Sequence, residues 1–192
     1  MRSALRLSGV TVRYCAGTDT CYASVVALSD IDLDVGCGET VGIVGAAGAG
    51  KSTLLRCAVG LVGVSSGRIG WFGARRAALP PASRTVYVPS SIGMLQRLRN
   101  LRETAAPRIV ALDDPLCGVE GAAYAELDEW LEGARGRGDA VLVSARAADA
   151  IARISSRIVT IRAGRVQVVT QQHADVTPAR VAEATAIDVK FG

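Results

Sequence analysis

The sequence predicts a mixed α/β fold in which a mostly parallel sheet is flanked by helices and follows an N-terminal antiparallel β layer. Three observations lead to this prediction. From residue 40 onward, short apolar runs typical of buried strands alternate with segments of helical periodicity. Before residue 40, apolar and polar residues alternate along two separate runs. A glycine-rich turn joins the first short strand to the first helix.

The antiparallel layer is predicted from residues 10–14 and 31–35, where every second residue is apolar, as in strands with one buried face. Apolar runs without this alternation are typical of strands buried on both faces. The short strands predicted after residue 40 are residues 40–44, 68–72, 85–88, 108–112 and 140–143, of which 40–44 and 140–143 are predicted to be buried. A closing hairpin is predicted over 157–161 and 166–169. The predicted helices are residues 52–60, 96–104, 120–135 and 147–154.

The composition excludes several classes of protein. With 49% hydrophobic and 21% charged residues, the chain can form an apolar core. No uncharged apolar run approaches the roughly 20 residues of a membrane-spanning helix. Arg6 and Arg13 interrupt any secretory-signal pattern, so we expect a cytoplasmic location. The net charge of +4 comes from scattered arginines, which are typical of a solvated surface, and we expect no nucleic-acid partner.

The five cysteines form no CxxC pair and are odd in number. This pattern is typical of reduced thiols in a cytosolic protein, where cysteines often serve as small core residues. The alternative is a disulfide or a metal site between Cys15 and Cys21, which are close together in the sequence.

The segment that begins at residue 45 matches the phosphate-binding pattern GxxxxGK[ST]. Its residues, with the one that follows, are Gly45, Ala46, Ala47, Gly48, Ala49, Gly50, Lys51, Ser52 and Thr53. Glycines let successive backbone N–H groups turn toward phosphate oxygens, and the start of the helix adds partial positive charge. Lys51 is predicted to bind the β and γ phosphates, and the Ser52 hydroxyl is predicted to bind Mg²⁺.

The alternative interpretation of this segment is a strand-to-helix turn without a ligand. Lys51 is one of only two lysines in the chain, and it occupies the position that the pattern requires. A chance match is therefore disfavoured. The sequence predicts a P-loop NTPase core.

A second candidate site lies where the apolar run 108–112 ends in two acidic residues, Asp113 and Asp114. In a doubly wound sheet, the carboxyl end of this strand lies beside the phosphate loop. Asp113 is therefore predicted to bind Mg²⁺, and Asp114 to polarise an attacking water. The alternative is an acidic turn in which Asp113 caps the next segment.

Taken together, these residues resemble the ATP-binding cassette (ABC) ATPases, the motor subunits of ABC transporters, over about residues 5–170. The phosphate loop matches the Walker A motif, and residues 107–115 are similar to the Walker B motif. Tyr14 lies where the family places an aromatic residue that stacks on adenine. The resemblance implies ATP and Mg²⁺ as cofactors, nucleotide contacts from Tyr14 and residues 45–53, and catalytic roles for Lys51 and Asp114.

The chain also departs from the pattern of this family. Ser90 replaces the glutamine that senses the γ-phosphate, Asp114 replaces the catalytic glutamate, and Ala145 replaces the switch histidine. The segment between Ser90 and Asp113 is too short for the family's helical subdomain, and no glycine-rich signature motif is present. Groups that bind nucleotide are retained, whereas groups that support turnover are lost. We therefore expect Mg-ATP binding with weak or absent hydrolysis by this chain alone.

The resemblance implies a compact nucleotide-binding domain over residues 1–170, which lacks most of the helical subdomain, and a C-terminal tail over residues 171–192. It implies two partners, a membrane permease and a second nucleotide-binding subunit, in a homodimer or a heterodimer. The location would then be the cytoplasmic face of the membrane, through the permease.

Two other functions compete with that of a transporter subunit. The loss of turnover residues favours a regulatory or interaction module that uses bound ATP as a structural or sensing ligand. A small P-loop kinase is disfavoured, because the sequence contains no recognisable lid with several arginines.

Overall fold

The computed structural model describes residues 2–16, 23–74, 82–89, 94–101, 106–117 and 122–171. The strands are β1 (Ser3–Ala16), β2 (Ala23–Gly36), β3 (Thr40–Val44), β4 (Ser66–Trp71), β5 (Thr85–Val88), β6 (Ile109–Leu112), β7 (Ala140–Ala145), β8 (Arg157–Arg162) and β9 (Arg165–Gln171). The α-helices are α1 (Lys51–Ala58), α2 (Met94–Arg99), α3 (Ala122–Gly136) and α4 (Ala148–Ala152), and a 3₁₀ turn covers Ala82–Arg84.

The smaller sheet is antiparallel, with the strand order β2-β1-β4. Leu5 and Leu7 are buried, and so are Val10 and Val12, so the buried positions change from odd to even numbers. The change follows from a register shift between Leu7 and Val10, because an extra residue in a strand moves the following side chains to the other face. Gly9, inside the shift, has φ of 58°. The predicted antiparallel layer is confirmed.

The larger sheet has the strand order β5-β6-β7-β3-β8-β9. Neighbouring strands are parallel from β5 to β8, and β9 pairs antiparallel with β8. Val44 pairs with Ala145, and Leu112 pairs with Val143. The carboxyl ends of β3, β6 and β7 therefore meet at one edge of the sheet, where ligands bind in open α/β folds.

Both faces of the larger sheet are covered by apolar layers. Along β6, Ile109 and Ala111 belong to the core that contains α1 and the antiparallel sheet. Val110 and Leu112 belong to the core that contains residues of α2, α3 and α4. Burial on both faces explains why these strands are uniformly apolar. The predicted α/β class, with a mostly parallel sheet flanked by helices, is confirmed.

The end of one predicted helix differs from the structure. The helix expected over residues 96–104 is α2, which ends at Arg99. Its end tightens, because the N–H of Leu101 donates to the carbonyl of Leu98, three residues earlier. Residues 102–105 lie outside the described part of the chain, as do Ser90 and residues 172–192 of the predicted tail.

The expectation that all cysteines are reduced thiols is wrong for Cys15, which is disulfide-bonded. Cys15 lies near the end of β1, opposite Ser24 at the start of β2, and its partner lies outside the described residues. Pairing of the two strands brings their ends together, which the cysteine count alone did not indicate. Cys37, Cys57 and Cys117 are free.

Among the residues that the structure describes, no helix combines the length and the apolar character needed to cross a bilayer.

Candidate nucleotide-binding site

The predicted phosphate loop leaves the central strand β3 at the carboxyl edge of the sheet and leads directly into α1. Gly45 and Ala49 are buried, whereas residues 46–48 form an exposed tip. Across this tip the N–H of Ala49 donates to the carbonyl of Ala46 at 3.2 Å. The loop is thus a tight turn whose exposed backbone faces away from the core.

Two positions of the loop require glycine for different structural reasons. A Cβ atom on Gly45 would lie 2.3 Å from the carbonyl oxygen of Ile161, so no side chain fits there. Gly48 has φ of 78°, in the left-handed region, and a Cβ atom there would meet nothing within 4 Å. Gly45 therefore allows close packing against β8, and Gly48 allows the turn beside an open space.

The turn between β8 and β9 is hydrogen-bonded to the phosphate loop. The N–H of Gly164 donates to the carbonyl of Ala49 at 3.0 Å. The carbonyl of Gly164 in turn accepts a hydrogen bond from the N–H of Ser29, in β2, at 2.8 Å. Hydrogen bonds from the closing hairpin therefore connect the loop to the antiparallel sheet.

The start of α1 is suited to an anion. Its N-cap is Gly50, which provides no side chain to bond the first amide groups, and its first turn contains no acidic residue. Free N–H groups at a helix start carry partial positive charge and bind phosphate oxygens. Ser52 and Thr53, in this first turn, are half-buried.

The Lys51 ammonium group folds back over the loop. Its Nζ donates to the carbonyl of Gly45 at 2.7 Å and to that of Ala46 at 2.9 Å. Burial lowers the pKa of Lys51, while the negative charges of Asp114 and Asp113 act in the opposite direction. The cation is therefore partly desolvated and lies close to both predicted acidic residues.

Tyr14 projects from β1 toward α1. Its hydroxyl lies 3.4 Å from the Thr53 hydroxyl oxygen, and the residue is 42% exposed. This contact places an accessible aromatic ring beside the phosphate loop, on the side of the antiparallel sheet.

Asp113 is held by two hydroxyl groups. The Tyr87 hydroxyl donates to its Oδ2 at 2.7 Å, and the Ser144 hydroxyl donates to its Oδ1 at 2.7 Å. Tyr87 is in β5 and Ser144 is in β7, the two neighbours of β6. The strands on either side of Asp113 therefore fix the orientation of its carboxylate.

Arg56 of α1 extends this network. Its Nε donates to the Tyr87 hydroxyl oxygen at 3.3 Å, and its guanidinium carbon lies 5.5 Å from the centre of the Tyr87 ring. Burial raises the pKa of Tyr87, and so does its hydrogen bond to Asp113. The phenol therefore stays protonated at neutral pH and remains a hydrogen-bond donor to the carboxylate.

Asp114 has an unusual backbone conformation, with φ of 50°. Its N–H donates to the Ser144 hydroxyl oxygen at 2.9 Å, so one hydroxyl contacts both acidic residues. Its Oδ2 lies 3.8 Å from Nε of Arg146. Aspartate tolerates the left-handed region better than most residues, and such conformations concentrate at functional sites.

The structure brings together the predicted residues at the edge of the sheet, namely residues 45–53, Tyr14, Asp113 and Asp114. Ala145, at the predicted switch position, is the last residue of β7 and is buried. It has no polar side-chain group to face a ligand. Ser90 lies outside the described residues.

Sequence reasoning did not assign Tyr87, Ser144, Arg56 or Arg146 to the site. A signal for two of them was present, because Tyr87 and Ser144 lie near the carboxyl ends of strands that were themselves predicted. Which strands neighbour β6, however, is a property of the sheet order.

The donor set suits Mg²⁺. This ion is usually held by one or two carboxylates together with phosphate oxygens and water, without an all-protein cage. Accordingly, the described residues contain no group of three or more His, Cys, Asp or Glu side chains that could hold a metal. Each Asp113 oxygen uses one lone pair on a hydroxyl and retains another, so the carboxylate and the Ser52 hydroxyl can serve as ligands.

Comparison with known proteins identifies the family. The model of the ABC transporter family matches residues 28–155. The phosphonates import ATP-binding protein PhnC of Hyphomonas neptunium is 37% identical over 120 residues, which are 62% of this chain and 43% of that protein. The lipoprotein-releasing system ATP-binding protein LolD of Xanthomonas oryzae is 39% identical over 89 residues, 46% of this chain and 35% of that protein. The matched segments thus span less than half of these relatives.

Solved structures show the same fold. A nucleotide-free ATP-binding cassette from an ABC transporter superposes with a TM-score of 0.73 at 12% identity, covering 99% of both chains. An ATP-binding cassette solved as a dimer in a post-hydrolysis state, bound to ADP and Pi, superposes with a TM-score of 0.70 at 17% identity, covering 88% of this chain and 99% of that one. Since the family model also matches most of the chain, the chain belongs to the ABC transporter family and has the fold of its ATP-binding cassettes.

Proposed function

We propose that this chain is the ATP-binding subunit of an ABC transporter and that it binds Mg-ATP at the phosphate loop. The observation that carries the proposal is the position of Lys51, over the loop and close to Asp113 and Asp114. A triphosphate with its magnesium ion would replace the loop carbonyls as the partner of the ammonium group. The family membership and the names of relatives such as PhnC and LolD support the same function.

Each group has a distinct role in this proposal. The amides of the loop and of the uncapped start of α1 bind phosphate oxygens, and Lys51 neutralises the outer phosphates. Ser52 and Asp113 would hold a magnesium ion, which would neutralise negative charge on the phosphates. Tyr14 offers its exposed ring to the base. Asp114 accepts a proton from an attacking water.

We further propose that the isolated chain hydrolyses ATP weakly. The Asp114 side chain is one methylene shorter than that of glutamate, and its carboxylate is paired electrostatically with Arg146. A displacement of about 1 Å in a catalytic group can reduce the rate about 100-fold. Ala145 adds no polar group that could orient the water or the phosphate.

The proposal includes two partners and two segments. A membrane permease and a second nucleotide-binding subunit, in a homodimer or heterodimer, would place the chain at the cytoplasmic face of the membrane. Residues 1–170 would form the nucleotide-binding domain, and residues 171–192 a C-terminal tail.

The test is calorimetric titration of the full chain with Mg-ATP. We expect saturable binding that Lys51→Ala weakens by about 10- to 100-fold, since a hydrogen bond to a charged group contributes about 1.5–3 kcal/mol. Arg68→Ala, which removes an exposed cation from β4 in the antiparallel sheet, is the matched control and should bind normally. Binding that does not depend on Lys51 would exclude the phosphate loop as the site.

Phosphate release separates weak hydrolysis from ordinary hydrolysis. We expect the rate of the wild-type chain to stay within about tenfold of that of Asp114→Asn, because a functional general base contributes roughly 10²- to 10⁴-fold. A difference of about 100-fold or more would show an active ATPase. ATP binding that is unaffected by candidate permeases and cassettes would favour a regulatory module instead.

A further inference from the structure

Arg146 and the phosphate loop follow two neighbouring parallel strands of the larger sheet, β7 and β3. It follows Ala145, the last residue of β7, and Ala145 pairs in parallel register with Val44, the last residue of β3. The next residues in the sequence are Gly45, after β3, and Arg146, after β7. The register therefore places the Arg146 backbone at the level where the phosphate loop begins.

The Arg146 side chain is exposed and makes only a weak contact with Asp114. Its Nε lies 3.8 Å from Oδ2 of Asp114, which is an electrostatic pair beyond hydrogen-bond distance, and the side chain is 75% exposed. An exposed pair of this kind contributes little to stability. The guanidinium group is consequently held near Asp114 by charge and can exchange this partner for another anion.

Two cations face the same carboxylate. Lys51 and Arg146 both interact electrostatically with Asp114, and the positive charge of Arg146 contributes to the lowered pKa of Lys51. Mutual repulsion of the two cations opposes this arrangement, and the carboxylates of Asp114 and Asp113 offset it. A polyanion bound between them would relieve the repulsion.

We propose that Arg146 is a nucleotide-binding residue that contacts the terminal phosphate of a bound triphosphate, so that the site favours ATP over ADP. This inference rests on the proposed function. In the proposed function Tyr14, which contacts Thr53, binds the base, and Asp114 acts on the water that attacks the terminal phosphate. Because Arg146 lies beside Asp114, its guanidinium group contacts the terminal phosphate in this proposal.

Arg146 is adjacent to Ala145, the residue at the predicted switch position. At the predicted switch position the chain has a buried methyl group, and the adjacent residue supplies a long, planar cation. A guanidinium group suits phosphate recognition, because it presents several N–H donors in a fixed geometry.

The experiment compares Mg-ATP and Mg-ADP affinities of the full chain by calorimetry, for the wild type, Arg146→Ala and Arg146→Lys. We expect Arg146→Ala to weaken ATP binding about tenfold and ADP binding less than about twofold, since one charge-assisted contact is lost only with ATP. Arg146→Lys should recover only part of the ATP affinity, because lysine keeps the positive charge but lacks the planar set of N–H donors of a guanidinium group.

Arg153→Ala is the matched control. Arg153 is an exposed arginine that follows α4, and its removal should leave both affinities unchanged. Equal weakening of ATP and ADP by Arg146→Ala, or no weakening, would overturn the inference for Arg146 while leaving the proposed function intact. Absence of nucleotide binding by the wild type would instead overturn the proposed function.

Discussion

The Tyr87 hydroxyl donates a 2.7 Å hydrogen bond to Oδ2 of Asp113 and links two neighbouring parallel strands at the edge where the phosphate loop begins. The phenol accepts from Arg56 on its other side. One side chain thus connects the helix that follows the phosphate loop with the carboxylate proposed to hold magnesium. Outer contacts of this kind orient a ligand before the metal arrives.

Removal of that hydroxyl should weaken the magnesium-dependent part of nucleotide binding. For Tyr87→Phe we expect the Mg²⁺ requirement for ATP binding to rise about tenfold, at the lower end of the effect typical of outer-shell partners. The measurement is a magnesium titration at fixed ATP. Tyr124→Phe, on α3, is the control and should leave the titration unchanged. An unaltered magnesium requirement in Tyr87→Phe would mean that Ser144 alone positions Asp113.

The two loop glycines should respond differently to alanine. Gly45→Ala places a Cβ atom 2.3 Å from the backbone oxygen of Ile161, and we expect it to lower the free energy of unfolding by about 3 kcal/mol. Gly48→Ala meets no atom within 4 Å and should cost only the left-handed backbone penalty, about 1 kcal/mol. Urea denaturation measures both. Similar stabilities for the two variants would contradict the close packing of Gly45 against β8.

Restoration of a longer acidic side chain at position 114 should carry a structural cost. Because φ of Asp114 is 50°, Asp114→Glu is expected to lower the free energy of unfolding by about 1 kcal/mol, whereas Asp114→Asn should be nearly neutral. Thermal or urea unfolding of the two variants provides the measurement. If Asp114→Glu proves as stable as the wild type, the backbone at this position is not in the left-handed region.

Cys57 should be unreactive in the folded protein. It is buried in α1, and burial raises the pKa of its thiol from 9.0 to about 11. The unfolded chain loses this proton first, so the free energy of unfolding should fall as the pH rises from 9 to 11. Thiol labelling at pH 8 should modify the exposed Cys117 rapidly and Cys57 only on unfolding.

Cys57→Ala supplies the control for the pH dependence, because lysines and tyrosines also titrate in this range. The wild type should lose more stability than Cys57→Ala between pH 9 and pH 11. Identical slopes for the two proteins would show that the Cys57 thiol is not protected by burial.

Hydrophobic patterning predicted most of the strands, because the central strands of the larger sheet, β3, β6 and β7, are buried along their whole length. The predicted strands 40–44 and 85–88 agree with β3 and β5. The alternation of apolar and polar residues was also sufficient to predict the antiparallel strands. It did not predict the register shift between Leu7 and Val10, because that shift is defined only by the pairing of β1 with β2. Patterning did not locate the end of α2, which is a local tightening of the helix, or select the disulfide of Cys15, which depends on the pairing of β1 with β2.

The sequence by itself determined the phosphate loop, since the spacing of Gly45, Gly50 and Lys51 is a local property of about eight consecutive residues. It also determined that acidic residues follow a buried strand. Only the tertiary structure decided that Tyr87 and Ser144 hold Asp113 and that Arg146 faces Asp114. These contacts depend on the order β5-β6-β7-β3, which brings together side chains that are far apart in the chain. The physical reason is that strand order is set by the packing of helices on both faces of the sheet, and no short stretch of sequence encodes it.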